Sequence, residues 1–188
     1  MATHPEPQDA APIAGGRSVL DTNSISRALT RISHEILEHN KGADNLVLLG
    51  IPTRGAHLAN RIAARIAKVE GAQVPVGTLD ITMYRDDLRD NPTRNPHRTE
   101  IPCGGIDGKT VVLVDDVLYS GRTIRAALDA LNDIGRPAAV RLAGLGDRRH
   151  PGMPHPAGHR GKNLPSARAE RVLVRLSEVD GQDEVQIS

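Results

Sequence analysis

The sequence predicts an α/β protein in which a central, mainly parallel sheet carries helices on both faces. Two aliphatic runs with no alternating polar pattern, LVLLG (46–50) and VVLV (111–114), read as strands buried on both sides. Stretches with apolar residues at helical spacing lie between the strands, which is the rhythm of βαβ units. VVLVDDVLYSGRT, Val111 to Thr123, also runs a strand straight into a small-residue turn and a helix start.

Composition bounds what this fold does. The 188 residues fit one domain, expected over 19–188 behind a disordered tail over 1–18 that is rich in Pro and Gly. Lys and Arg total 24 against 23 Asp and Glu, so a net charge of +1 gives no global attraction to nucleic acid or membrane. The single cysteine, Cys103, excludes an intramolecular disulfide. No apolar run nears the roughly 20 residues that span a bilayer, and the start of the chain has no secretory pattern, so a cytoplasmic protein without a membrane partner is expected. Phe and Trp are absent, which leaves Leu, Ile, Val and Ala to build the core and nearly removes aromatic stacking on bases.

The elements follow in order. SISRALTRISHEILEHN (24–40) sets Ile25, Leu29, Ile32, Ile36 and Leu37 on one stripe of an amphipathic helix. LVLLG is a short strand, IPTRG a turn, and AHLANRIAARIAKVEG (56–71) a helix closed by Gly71. VPVGTLDITMY (74–84) reads as a strand, and the polar stretch 85–101 as a binding loop or lid. GKTVVLVDD (108–116) is a strand and GRTIRAALDALNDIG (121–135) a helix closed by Gly135. AAVRLAGL (138–145) is a strand, 146–166 a Gly/Pro/His-rich excursion, and RVLVRL (171–176) the last strand.

The chemistry concentrates at the joint after the 108–116 strand. A helix start leaves unpaired backbone N–H groups at the positive end of its dipole, which is a phosphate site. Ser120 and Thr123 add hydroxyl donors, and Gly121 removes a side chain from the approach. Asp115 and Asp116, at the C-terminal end of the strand, are acceptors suited to hydroxyl groups, so the pair of subsites reads as one for a phosphorylated sugar. A nucleoside triphosphatase is the rival reading, with GGIDGKT as its phosphate loop. It fails because Cys103 stands where a Gly is needed and Gly108-Lys109-Thr110 enters a strand, which leaves GGIDGKT as a turn. His150, His155 and His159 read as a solvated loop more readily than as a metal site.

These residues carry a resemblance. VVLVDDVLYSGRT resembles the 5-phosphoribosyl pyrophosphate (PRPP) motif of type I phosphoribosyltransferases. With LLGIPTRG, TLDITMYRDDL, GKNLPS, TRISHEI and VLVRLSEVDG, the chain is similar, from about Ile25 to Ile187, to the pyrimidine operon regulators that double as uracil phosphoribosyltransferases. The resemblance implies the fold of that family, with a small hood at about 146–166 and a flexible lid. It implies that Ser120, Gly121, Arg122 and Thr123 hold the 5′-phosphate, that Asp115 and Asp116 accept from the ribose hydroxyls, and that Thr53, Arg54 and Gly55 form a pyrophosphate loop containing a non-proline cis peptide, with Arg54 supplying charge. Thr82, Tyr84 and Arg85 match the root of the lid, and Asp147, Arg148 and Lys162 match the hood beside the base. Tyr119 replaces the acid of purine-specific relatives, which favours a pyrimidine, although it also fits as a packing residue. Mg2+ is implied as a cofactor held mainly by substrate oxygens, with no dedicated protein ligands. Thr30, Arg31, His34 and His150 match a face that binds a leader mRNA stem-loop under control of UMP, giving transcription attenuation, and a dimer or larger homo-oligomer is implied.

Departures gather in the hood. Where relatives carry two arginines this chain has Pro151 and Pro156, and an Asp-Tyr pair has become Gly158-His159. The expected function is therefore a uracil phosphoribosyltransferase that also regulates a pyrimidine operon. Two alternatives stand beside it: an RNA-binding regulator with weak or lost transferase activity, and a phosphoribosyltransferase for another base.

Overall fold

A computed structural model describes residues 15–86, 96–118, 121–148, 158–164, 166 and 170–188. The order is β1 (Arg17–Leu20), α1 (Thr22–Asn40), β2 (Leu46–Gly50), α2 (Arg54–Glu70), β3 (Val76–Thr78), a 3-10 turn (Thr82–Tyr84), β4 (Thr110–Leu118), α3 (Gly121–Asn132), β5 (Ala139–Asp147), β6 (Gly158–Asn163), β7 (Val172–Arg175), α4 (Ser177–Asp180) and β8 (Glu184–Ile187). β3-β2-β4-β5-β6 form one sheet in which every neighbouring pair is parallel. Among the described residues no helix is long and apolar enough to cross a membrane.

Alternation along the strands divides the core. Leu46, Leu48, Val112, Val114, Ala143 and Leu145 face α1 and α2, while Val47, Leu49, Val111, Leu113 and Leu142 face α3. Helices thus cover both faces, as expected of a sheet buried on both sides. Asp21 caps α1 by accepting from Ser24 N–H, and Lys41 and Gly71 end α1 and α2 in the left-handed conformation.

Several expectations change. RVLVRL does not join the parallel sheet: β7 pairs antiparallel with β8, and β8 with β1, in a separate three-stranded sheet. The connection Leu176–Asp183 is too short for a parallel crossover, which needs about a dozen residues or more, so the chain returns antiparallel. β1 starts at Arg17, inside the stretch expected as tail, because Arg17 and Ser18 pair with Ile187 and Gln186; residues 1–14 lie outside the described residues. The 74–84 strand shrinks to Val76–Thr78 because Asp80 bonds Thr82 and folds the chain into a 3-10 turn. The excursion 146–166 contains β6, whose Gly161 lies so close to Leu145 that an added Cβ would stand 2.3 Å from its carbonyl oxygen. His159, expected in a solvated loop, is buried on β6 instead, with Nδ1 3.5 Å from Glu35 and its ring 5.0 Å from that of His39. Burial, then electrostatic repulsion from the nearby His39 ring, holds its pKa below the usual histidine value, against the opposing pull of Glu35.

Candidate active site

A cleft opens where β2 and β4 part. β4 pairs with β2 only as far as Val114–Gly50, yet stays paired with β5 out to Leu118–Asp147. β2 leads on to β3 at one edge, while β4 leads to β5 and β6 at the other, so strand order reverses between β2 and β4. Open α/β sheets bind ligands at such a switch point, beyond the C-terminal ends of the strands. The cleft here measures about 620 Å³, the size of a small-ligand site. Pro52, Thr53 and Arg54 line it on the β2 side, Asp115, Asp116 and Thr123 on the β4 side, and Asp80, Thr82, Arg85 and His97 across its mouth.

Glycines bring the first turn of α2 against the sheet. A Cβ on Gly55 would stand 2.4 Å from the Val114 carbonyl oxygen, and one on Gly50 would stand 2.4 Å from the Ala56 backbone. Thr53, the N-cap, makes no side-chain capping bond, so the opening N–H groups of α2 keep their capacity for a ligand. The Pro52–Thr53 peptide is cis, at the loop where the resemblance implied one.

β4 runs on beyond its last pair with β2, Gly50–Val114, and Asp115 and Asp116 sit on that extension. Asp115 Oδ1 accepts Asp116 N–H at 2.8 Å and Asp116 Oδ1 accepts Val117 N–H at 2.7 Å, so each carboxylate is oriented by the next amide. α3 begins at Gly121, and Thr123 in its first turn lines the cleft. The structure therefore gathers two helix starts and an acidic pair around one space. Tyr119 and Ser120 lie outside the described residues. Arg122 is 64% exposed and stands 3.9 Å from Asp86 at the root of the expected lid.

Other expected site residues lie elsewhere or, like Arg54, are engaged by a partner outside the cleft. Tyr84 does not line the cleft. Asp80 holds Thr82 through both its N–H and its hydroxyl, and the tight turn then aims Tyr84 at α3, where its hydroxyl donates to Asp133 Oδ2 at 2.5 Å. That bond raises the phenol pKa above its ordinary value. Arg54 is not a free charge: its guanidinium makes a two-pronged pair with Asp180. Asp147 is 1% exposed and paired with Arg160; Arg148 donates to Ser166 Oγ and the Glu170 carbonyl; Lys162 donates to the Val19 carbonyl of β1. These three support the joint between β5, β6 and the small sheet and do not line the cleft.

Two carboxylates that shape the cleft escaped the sequence reading, Asp80 in its lining and Asp180 behind Arg54. Asp80 sits inside the quoted TLDITMY, and its two oxygens accept from Thr82 and from His97 N–H, tying together both ends of the polar stretch. Asp180 lies 126 positions from Arg54, and no spacing pattern links them.

Thr30, Arg31 and His34 lie exposed on one face of α1. Arg31 donates to the carbonyls of Arg160 and Gly161, which seats β6 beside that face. His150, Pro151 and Pro156 lie outside the described residues. No cluster of three or more His, Cys, Asp or Glu side chains fit for a metal occurs among the described residues. Two oriented carboxylates in a cleft are nonetheless the oxygen donors that a hard cation takes alongside waters and phosphate oxygens.

Comparison with known proteins follows the same lines. A family model described as phosphoribosyl transferase domain matches residues 16–160. The bifunctional protein PyrR of Leifsonia xyli subsp. xyli (strain CTCB07) is 65% identical over 176 residues, covering 91% of this chain and 96% of that protein. The bifunctional protein PyrR of Streptomyces coelicolor (strain ATCC BAA-471 / A3(2) / M145) is 62% identical over 169 residues, covering 90% and 88%. In fold, the chain is similar to the hypoxanthine phosphoribosyltransferase of Trypanosoma cruzi, with a TM-score of 0.66 at 15% identity over 91% of this chain and 95% of that one. It is also similar to a hypoxanthine-guanine phosphoribosyltransferase of Bacillus anthracis, with a TM-score of 0.62 at 16% identity over 92% and 96%.

Proposed function

Because this chain belongs to the phosphoribosyl transferase domain family, within the group of bifunctional PyrR proteins, we propose that its cleft makes UMP and pyrophosphate from uracil and PRPP, and that the protein also regulates a pyrimidine operon. The observation that carries the reading is the meeting of the α2 start, the α3 start and the Asp115–Asp116 pair around one space. Two helix N-termini suit the two phosphorylated ends of PRPP, and the acid pair between them suits the ribose hydroxyls.

In this reading Gly121, Arg122 and Thr123, with Ser120, bind the 5′-phosphate, and the amides of Thr53, Arg54 and Gly55 bind pyrophosphate. Asp115 and Asp116 hold the ring so that C1′ faces the base. The bond from C1′ to the pyrophosphate oxygen breaks as the bond to uracil N1 forms, and the N1 proton is taken up by the departing pyrophosphate. Positive charge develops on the ring, and the adjacent carboxylates favour that state electrostatically. Asp115 and Asp116 also fit Mg2+, whose charge would offset that of the leaving pyrophosphate. Thr82 and Arg85, at the mouth, are the groups placed to exclude water from this step.

The test is pyrophosphate release from PRPP with uracil, hypoxanthine, guanine and orotate in parallel. Turnover with uracil above the others is expected; turnover with a purine alone would replace uracil with that base.

A second role is favoured by the exposed face of Thr30, Arg31 and His34. We assign it to a leader mRNA stem-loop, bound more tightly with UMP present. Phosphate contacts require affinity to fall as salt rises, so salt-independent or undetectable binding of leader RNA would remove this role.

A further inference from the structure

We propose that Asp180 is the positioning residue of the pyrophosphate subsite, acting through Arg54. This deepens the functional reading above and rests on its assignment of the start of α2 to pyrophosphate.

Arg54 is the first residue of α2 and lines the cleft. Asp180 ends α4, in the connection between β7 and β8 of the small sheet. Asp180 Oδ1 accepts from Arg54 Nη2 at 2.7 Å and Oδ2 from Nε at 3.2 Å. The same Oδ2 accepts Leu176 N–H at 2.8 Å, so a backbone amide fixes the carboxylate that fixes the guanidinium. The two side chains are 24% and 12% exposed, which weakens screening by water and salt. Seven residues along α2, Arg61 grips the same connection through Glu178 and Asp183, so α4 is already held without Arg54.

That redundancy separates the two pairs by purpose. Arg61 anchors the small sheet, whereas the Arg54 pair reaches the cleft wall. Asp180 takes the Nε–Nη2 edge and leaves the Nη1 N–H groups outside the pair, so Arg54 keeps donors while its rotamer is set before a ligand arrives. A long side chain already held in place loses less freedom on binding, and its pair also steadies the helix start whose amides meet the anion.

The alternative gives the opposite sign. If Asp180 were only a negative charge near an anion site, removing it would tighten pyrophosphate binding by relieving repulsion. If it positions Arg54, removing it weakens binding. The experiment is calorimetry of inorganic pyrophosphate with magnesium on the full chain and on Asp180→Asn, Asp180→Glu and Glu178→Gln variants. Asp180→Asn is expected to raise Kd about tenfold or more, Asp180→Glu to fall between it and the parent protein, and Glu178→Gln to keep the parent Kd while melting at a lower temperature. An unchanged or lower Kd in Asp180→Asn overturns the proposal, as does an equal loss in Glu178→Gln. Should Asp180→Asn not fold, Asp180→Glu decides: a parent-like Kd overturns and a raised one supports. Failure of the functional reading looks different: the parent protein then makes no UMP from uracil, while the Kd series still judges the pair. A parent protein that binds no pyrophosphate sinks both.

Discussion

Gly55 shows how much of the site depends on one missing side chain. Its position lets α2 rest on β4 at the residue just before Asp115, and a Cβ there would meet the Val114 carbonyl oxygen at 2.4 Å. That neighbour is backbone and cannot rotate aside. Gly55→Ala is expected to push the start of α2 off the sheet, costing about 1 to 3 kcal/mol of stability. It should also weaken pyrophosphate binding more than base binding. Thermal melting together with separate titrations of pyrophosphate and UMP checks this, and parent-like values in both would show that the close approach is not needed. The residues that were legible in the sequence are of this kind. Asp115, Asp116, Gly121 and Thr123 follow one buried strand into one helix, and chain direction alone puts them together. Arg54 was legible as a member of the loop but not as a partner of Asp180, because a pair between distant elements leaves no trace in local spacing.

At the scale of elements, the grip of α2 on α4 is the feature with a pH signature. Arg61 Nε donates to Glu178 at 2.8 Å and its Nη atoms to Asp183 at 2.8 Å, with Ser177 Oγ accepting at 3.0 Å. These bonds hold the carboxyl pKa values of Glu178 and Asp183 below their ordinary range. The unfolded chain therefore takes up protons at these groups before the folded one does. Their stabilisation is present above the ordinary carboxylate pKa, about 4, and is lost as the pH falls below it. Arg61→Gln is expected to melt several degrees below the parent protein at pH 7, with the gap closing toward pH 3. A gap that stays constant with pH would show that the pairs contribute nothing. The small sheet held by this grip was only partly legible. β1 and β8 are four residues each, too short for periodicity to mark, and β7 reads as a strand without revealing its partners. α1, α2 and α3 were legible because their apolar stripes run three turns or more.

The whole molecule joins its two sheets through one core. Leu20, Val174, Leu176, Val185 and Ile187 from around the small sheet pack in the same cluster as Leu48, Val112 and Val114 of the large one. The connection that carries Asp180 is thereby fixed relative to the strands that carry Asp115 and Asp116. The parallel sheet was legible from its aliphatic runs, and so was the side of the sheet on which ligands bind. The turn of β6 onto the sheet edge was not, because GHRGKN has no strand pattern and is drawn in by backbone pairing with β5 and by Arg31 of α1. What the assembled molecule must do is capture PRPP between two helix starts and an acidic pair. The direct measurement is calorimetric titration of PRPP with magnesium into the parent protein and into the Asp115→Asn/Asp116→Asn double variant. Saturable binding by the parent protein and its loss or severe weakening in the double variant is the expected result; no heat from the parent protein, or equal affinity in both, would contradict it.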